Sequence, residues 1–563
     1  MKKRFKSILT VLMAFILAMP LTACGGSNVE SVDDTKTQLT VYSYDGGVGN
    51  VWLDKVIERF EADFANTSFE EGKVGVQIHA NKEKPNQDLS IIEQMEDVLF
   101  TEWCNTSSLF SMNRTLDISD IMNVPLNEYL VDGNGTPLTT DTDTIEDKLF
   151  DKTKQFFSFS EGKYKGLPHY SHFATLIYNK VLLDDNSLYF ARTPDLEAIE
   201  NGDMMGYFIA SPDDEKSCGP NGVCENGEGD DGLPATYDEF FILCDAVVEL
   251  TKAPFIWNGS GKEGYTRYLL NSIYLNLAGA EKANINWDYD SNGKQIDIID
   301  ANGKPAKATV TPDNFGALNR QLEKYQAIEI FDRIIDTYSD YHSANENPNK
   351  DNLGTQDDYI RSYKTATQVL FLVEGSYWYN EANDAQYFDN ARYLDANFDK
   401  YNDFRVFPLP RVYEGFASDV EGTNPHKNVV ADQSDSLACI NATIANDPVK
   451  VKLAKTFLAY CYTQESLADF TKWSNTVKLM NYTVDKNDLL NDYAKHLWDY
   501  CQESDYVLPY SAHNNYTNGG QEKWSLHISA GFWTYTGSGS PWTELRGANK
   551  KPLSYFNNYA ANR

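Results

Sequence analysis

Residues 161–183 read EGKYKGLPHYSHFATLIYNKVLL. A charged turn, Glu161-Gly162-Lys163, leads into Tyr164-Lys165-Gly166-Leu167-Pro168 and then into Phe173-Ala174-Thr175-Leu176-Ile177-Tyr178. The second run has the β-branched and aromatic content of a buried strand. Asn179-Lys180 ends it, and Val181-Leu182-Leu183 opens a new element. Pro168 has no backbone N–H and a fixed φ, so it interrupts a ladder between the two strand-like pieces. The stretch therefore predicts a crossover between two bodies.

A chain of 563 residues is too long for one ordinary core, so two or more domains are expected. Its 42% hydrophobic and 13% aromatic content excludes a disordered chain. The formal net charge is −33, and the leader carries Lys2, Lys3, Arg4 and Lys6 with no acid, so the rest of the chain is more acidic still. Such a surface repels phosphate backbones and anionic headgroups, which argues against a nucleic-acid partner. The acidity itself reads as solubility of an exposed surface.

The N-terminus reads as a secretion signal. Lys2 to Lys6 form a basic region, and the apolar run from Ile8 to Met19 is too short for a comfortable membrane span. Leu21-Thr22-Ala23-Cys24-Gly25-Gly26 resembles a bacterial lipobox. It implies cleavage after Ala23, so that residues 1–23 are removed, and a diacylglyceryl group on Cys24. Two acyl chains suffice for stable anchoring at the outer face of the cell membrane. The alternative is an ordinary signal peptide with an incidental cysteine. Residues 24–37 read as a polar tether. The seven later cysteines are an odd number without zinc spacing, which argues against a full disulfide framework. Cys244, Cys439 and Cys461 lie in apolar runs, whereas Cys218 and Cys224 flank a loop that a small disulfide would close.

Gln38 to Tyr44 reads as a strand, Asp45 to Asn50 as a loop, and Leu53, Val56, Ile57, Phe60 and Phe64 as one helix face. Val74 to Ile78 is the next strand, so the chain opens as a β-loop-α-β layer. The loop lacks GxGxxG spacing and gives no dinucleotide site. Leu89 to Met95 is read as helical, and Asp97 to Phe100 as a short strand running into Thr101-Glu102-Trp103. Asp213 to Gly232 is a loop-rich acidic insert. Thr236 and Glu239 stand at capping-box spacing before an apolar stripe of Phe240, Cys244 and Val247. Ile285 to Thr309 is read as a β-meander. Within it Asp288, Asp290, Asn292 and Gly293 match the first half of a calcium loop, but position twelve is Ile299 and not Glu. A hairpin turn is the preferred reading, with calcium as the alternative.

Taken in order, these motifs resemble the extracellular solute-binding proteins of sugar ABC transporters, the maltose-binding-protein-like family. The opening stretch is similar to that family's "GKYYGLP…YNK" crossover. Leu116-Asp117-Ile118-Ser119-Asp120, Pro234-Ala235-Thr236-Tyr237-Asp238-Glu239-Phe240, Gly375-Ser376-Tyr377-Trp378 and Phe407-Pro408-Leu409-Pro410 resemble later segments. Asp432 to Ile440 takes the place of a second crossover, and the likeness runs over roughly residues 38 to 485. It implies an α/β fold of the two-lobe periplasmic-binding-protein type (type II), with a hinge and a central cleft. Residues 38–170 and 436–485 would form the N-lobe, and 171–435 and 486–563 the C-lobe.

The resemblance further implies a monomer that binds a carbohydrate, by preference an oligosaccharide, and delivers it to the permease subunits, with no catalysis. A sugar offers C–H faces to aromatic planes and hydroxyls to planar polar groups. The resemblance places Asp45, Glu102, Trp103, His169, Tyr170, Trp257, Tyr377, Trp378 and Asp435 near the cleft. One residue is inserted before the Trp of the glycine turn, so whether Tyr377 or Trp378 faces ligand stays open. Two alternatives are a lipid-anchored glycoside hydrolase with paired carboxylates and a helical glycan-binding surface lipoprotein. No GxSxG, HExxH or hydrolase carboxylate motif is present, and the βα alternation argues against a helical protein.

Overall fold

The computed structural model describes residues 31–83, 95–102, 113–158, 163–220, 231–311, 315–416, 426–432, 436–509 and 539–561. The leader with Cys24, Trp103, Cys104, Cys224, Asp435 and all but the last residue of the expected helix from Leu89 to Met95 lie outside these residues.

Strand β1 (Thr37–Tyr44) leads to helix α1 (Val51–Asp63), which buries Trp52, Leu53, Val56 and Phe60. Strands β2 (Val76–Glu83) and β3 (Val98–Thr101) follow, both parallel to β1. The two-residue strand β4 (Leu167–Pro168) ends at the proline. Strand β5 (Ala174–Asn179) then begins a different sheet. That sheet also takes β6 (Ala253–Ile256), β9 (Val369–Gly375) and β10 (Phe404–Phe407), in the order β10-β5-β9-β6. Strand β11 (Val429–Ala431) closes this part of the chain, and β12 (Leu437–Ile440) returns to the first sheet, whose order is β2-β1-β3-β12-β4. The chain thus changes sheet where the sequence predicts, between Pro168 and Ala174 and between Ala431 and Leu437. The result is a two-lobe α/β protein.

In the C-lobe, α2 (Tyr237–Glu249) and α3 (Lys262–Asp288) pack on one face of the sheet with α4 (Leu322–Tyr338). The capping reading holds in half: Thr236 accepts the Glu239 N–H at 3.3 Å, but the Glu239 carboxylate takes the N–H of Ala235 at 2.8 Å. The other face carries α5 (Asn352–Arg361) and α6 (Trp378–Asp384). In the N-lobe, α7 (Pro448–Tyr460) and α8 (Gln464–Ser474) pack with α1. After a third passage the chain forms α9 (Asp492–Glu503) against β10, and then β13 (Asp505–Val507), which pairs with β11.

The expected meander is corrected at its start. Helix α3 kinks at Gly279 (φ 70°) and runs on to Asp288, burying Ala283 and Trp287 four residues apart. Apolar burial at helical spacing outweighs the β-like alternation of the short window. Only the second part is β, the hairpin of β7 (Gln295–Ile299) and β8 (Pro305–Thr309).

The passages are tied to one another. The Ser171 N–H donates to the Val477 carbonyl at 3.2 Å, and the Leu479 N–H to Ser171 Oγ at 2.7 Å. Ser436 Oγ receives the Tyr170 N–H at 3.2 Å and donates to the Tyr170 carbonyl at 2.6 Å. Lys478 Nζ donates to the His169 carbonyl and lies 4.2 Å from the Phe470 ring centroid. Burial pulls the Lys478 ammonium down to about 7, against an ordinary 10.5. From pH 7 to 10.5 the unfolded chain therefore holds the extra proton, and this group makes stability rise with pH. In Lys478→Met that rise should be absent, so the parent should gain in melting temperature relative to the variant from pH 7 to 10.5; parallel profiles would refute the assignment.

Candidate functional site: the seam between the lobes

The strands set the site. Strand β1 ends at Tyr44 and β3 at Thr101 on the N-lobe side, while β6 and β9 end at Ile256 and Gly375 on the C-lobe side. The loops after these strands meet. Loop Asp45–Asn50 packs on the start of α6, where Asn380 Nδ2 donates to the Gly47 carbonyl at 3.3 Å.

Tyr377 stands at the centre of this contact. A Cβ built on Gly47 would lie 2.8 Å from Tyr377 Cγ, and one built on Gly375 would run into the same ring. The ring is held between two glycines, one from each lobe, because only glycine leaves room for so close an approach. Other rings gather around it. His172 lies 5.0 Å from Tyr377 and 6.1 Å from Tyr268, both edge-on, and Tyr265 lies 6.0 Å from Tyr268. A cavity lined by Thr175, Tyr268, Asn271, Asn276 and Tyr500 adjoins both crossovers.

A carboxyl pair lies under Tyr377. Gln356 Nε2 donates to Glu374 Oε1 at 3.2 Å and to Glu381 Oε2 at 2.9 Å. The Gly375 N–H donates to Glu374 Oε2 at 2.7 Å. Burial, and then the neighbouring Glu381, holds the Glu374 carboxyl well above the usual carboxylate range.

The expected site residues divide. Asp45 is exposed on the loop and accepts Asn50 Nδ2 at 3.0 Å. Glu102 is buried at the end of β3, with Oε2 2.9 Å from where a Gly46 Cβ would stand. Tyr170 is buried, its ring stacked 6.4 Å from His172. Trp103 and Asp435 lie outside the described residues.

Three expectations are corrected. His169 is fully buried in the N-lobe core, 5.3 Å from Trp52 and 5.2 Å from Phe100. Burial, then Lys478, pushes its imidazole well below the usual range, so it is a neutral core ring. Trp257 is wholly buried in the C-lobe core and donates its indole N–H to the Asn345 carbonyl at 3.2 Å. Trp378 has no exposed surface and packs among Tyr359, Phe404, Phe388 and Tyr493. The helical turn that begins at Tyr377 directs these neighbours apart, Tyr377 to the seam and Trp378 to the core. Tyr265, Tyr268, Glu374 and Glu381 lay outside the sequence expectation. The i, i+3 tyrosines opening the helix after β6 were the signal for the first two.

In the calcium-like turn, Asp288 is paired with Lys152, and Asp290 accepts the Asn292 N–H at 2.7 Å. Among the described residues no three His, Cys, Asp or Glu side chains are gathered in a metal-binding group. Cys218 is disulfide-bonded. Cys244, Cys439, Cys461 and Cys501 are buried, and none of the four is in a disulfide.

No protein-family model matches the chain, and no curated protein does. Among solved structures, a chitin oligosaccharide binding protein matches with a TM-score of 0.51 and 14% identity, over 93% of this chain and 98% of that one. A second, described as SBP RafE in complex with raffinose, matches with a TM-score of 0.49 and 12% identity, over 93% and 99%. The first likeness extends over both lobes and shows the class of fold, the two-lobe α/β fold that the chitin oligosaccharide binding protein shares. Among the described residues no helix is long and apolar enough to cross a membrane.

Proposed function

We propose that this protein is the substrate-binding lipoprotein of an ABC importer. It takes an oligosaccharide between its lobes, closes on it and delivers it to the membrane permease, without chemistry of its own. The observation that carries this reading is the Tyr377 ring held between Gly375 and Gly47, at the meeting of the two lobes. A ligand placed there touches both lobes, binds the closed form better and so shifts the population toward it. The neighbouring tyrosines supply stacking faces, and Glu102, Asn271 and Asn380 supply planar hydrogen-bonding groups. The likeness to a chitin oligosaccharide binding protein supports the ligand class. Titration calorimetry against a panel of chito-, malto- and raffinose-type oligosaccharides tests it. Micromolar affinity corresponds to about −8 kcal/mol. Turnover of a glycoside by the purified protein, lost on mutating a carboxylate pair, would establish the hydrolase reading instead.

Anchoring through Cys24 belongs to the same reading. Cys24→Ala should move the protein from the membrane fraction to the medium, or leave it unprocessed. Metabolic lipid labelling that persists in this variant would exclude Cys24 as the anchor.

A further inference from the structure

We propose that the Glu374–Gln356–Glu381 network beneath Tyr377 links lobe closure to the uptake of one proton, so that the closed, ligand-holding form is favoured at acid pH. The inference rests on the reading of the seam as the ligand site. Two carboxyl groups share the two N–H donors of one buried amide, at 3.2 and 2.9 Å. Glu374 is 2% exposed, and the other groups that act on it are Glu381, the Gly375 N–H and Gln356. Glu374 is buried and Glu381 half-buried; burial, and then the neighbouring Glu381, disfavours a charge on Glu374, so the pair retains one proton there.

The pair belongs to the moving surface. Glu381 lies on α6 one residue after Asn380, which bonds to Gly47 of the other lobe. Glu374 precedes Gly375, on which the Tyr377 ring rests. Withdrawing loop Asp45–Asn50 uncovers Tyr377 and α6 and admits water to the pair. Hydration lowers the cost of the second charge, and the proton leaves to the buffer. Closing reverses this: a buffer proton returns to a carboxyl oxygen. Because the closed-state affinity for the proton is raised, the contribution is complete below the ordinary Glu range and is lost as pH rises through the closed-state value.

The other titratable groups facing the pair are Tyr265 from α3, Tyr377, and Tyr493 from α9, with Tyr268 beside Tyr265 and Tyr377. His172 touches Tyr377 from the crossover. Burial holds the Tyr265, Tyr377 and Tyr493 hydroxyls protonated well above their usual range. Glu374→Gln keeps the shape and one of the two accepted hydrogen bonds while removing the titration, and Glu381→Gln should act alike. His172→Gln separates the histidine.

Two measurements decide the matter. Thermal melting of the sugar-saturated, closed protein between about pH 5 and 9 should fall in the parent relative to Glu374→Gln, since ordinary Glu titrates near 4.3; parallel profiles would overturn the retained proton. Calorimetry of the best sugar in the panel, in two buffers of different ionisation heat, should show uptake of up to one proton near neutrality. The same sugar should lose about tenfold in affinity over one to two pH units in the parent, with neither effect in Glu374→Gln. Binding without proton uptake, or uptake unchanged in the variant, would overturn the link to closure. If no sugar binds, the proposed function fails and takes the link to closure with it, whereas sugar binding without proton uptake overturns the link alone.

Discussion

Trp378→Ala should destabilise the C-lobe by about 3–5 kcal/mol, the usual result of emptying a fully buried aromatic site. The indole is enclosed by four rings with centroids 5.4 to 6.0 Å away, in Phe404, Tyr493, Tyr359 and Phe388. These rings are fixed by β10, α9 and α5 and by the helix after α6, so the cavity has little freedom to collapse. Tyr377→Ala, one residue earlier, should behave differently. Its ring is covered by the other lobe, so its loss falls on closure and binding, by at least ~1 kcal/mol for a stacked aromatic. The contrast is read by urea unfolding and titration calorimetry on the two variants side by side. A midpoint for Trp378→Ala equal to the parent's would show that the indole is not a core element. A parent-like affinity in Tyr377→Ala would place the ligand elsewhere.

Gly47→Val should abolish tight binding while leaving each lobe folded. The new Cβ would stand 2.8 Å from Tyr377 Cγ and 2.9 Å from Cδ2, inside van der Waals contact. The ring has no retreat, because Gly375 lies on its other side and His172 at its edge. The relief is for the lobes to part. Overpacking of this kind costs about 1–3 kcal/mol, which lowers affinity by roughly 5- to 150-fold if the whole cost falls on the closed state. Scattering should report a larger radius of gyration for sugar-saturated Gly47→Val than for the parent, at an unchanged melting temperature of the sugar-free form. A variant that closes and binds like the parent would show that loop Asp45–Asn50 is not part of the closing surface.

The pieces of the fold legible in the sequence were those fixed locally. Pro168 interrupts the ladder between Leu167 and Ala174 whatever surrounds it, because it lacks an N–H and fixes its own φ. The stripe of α1 follows from side-chain period, and the buried runs at β5, β9 and β12 from short continuous apolar stretches rich in β-branched and aromatic residues. The direction of a side chain at the end of a strand is a different matter. Trp257, Trp378 and His169 have the composition of a ligand site, and tertiary packing turned all three into lobe cores. An aromatic ring near a strand terminus gains as much from burial as from exposure to a sugar, and the sequence does not say which side is filled. Tyr377 became a wall of the seam because Gly47, 330 residues away, leaves room for it. The Glu374–Gln356–Glu381 network required α5, β9 and α6 to converge, and no spacing along the chain reports such a meeting. The crossover was therefore settled by covalent chemistry at one proline, and the site by which distant surfaces the fold presses together.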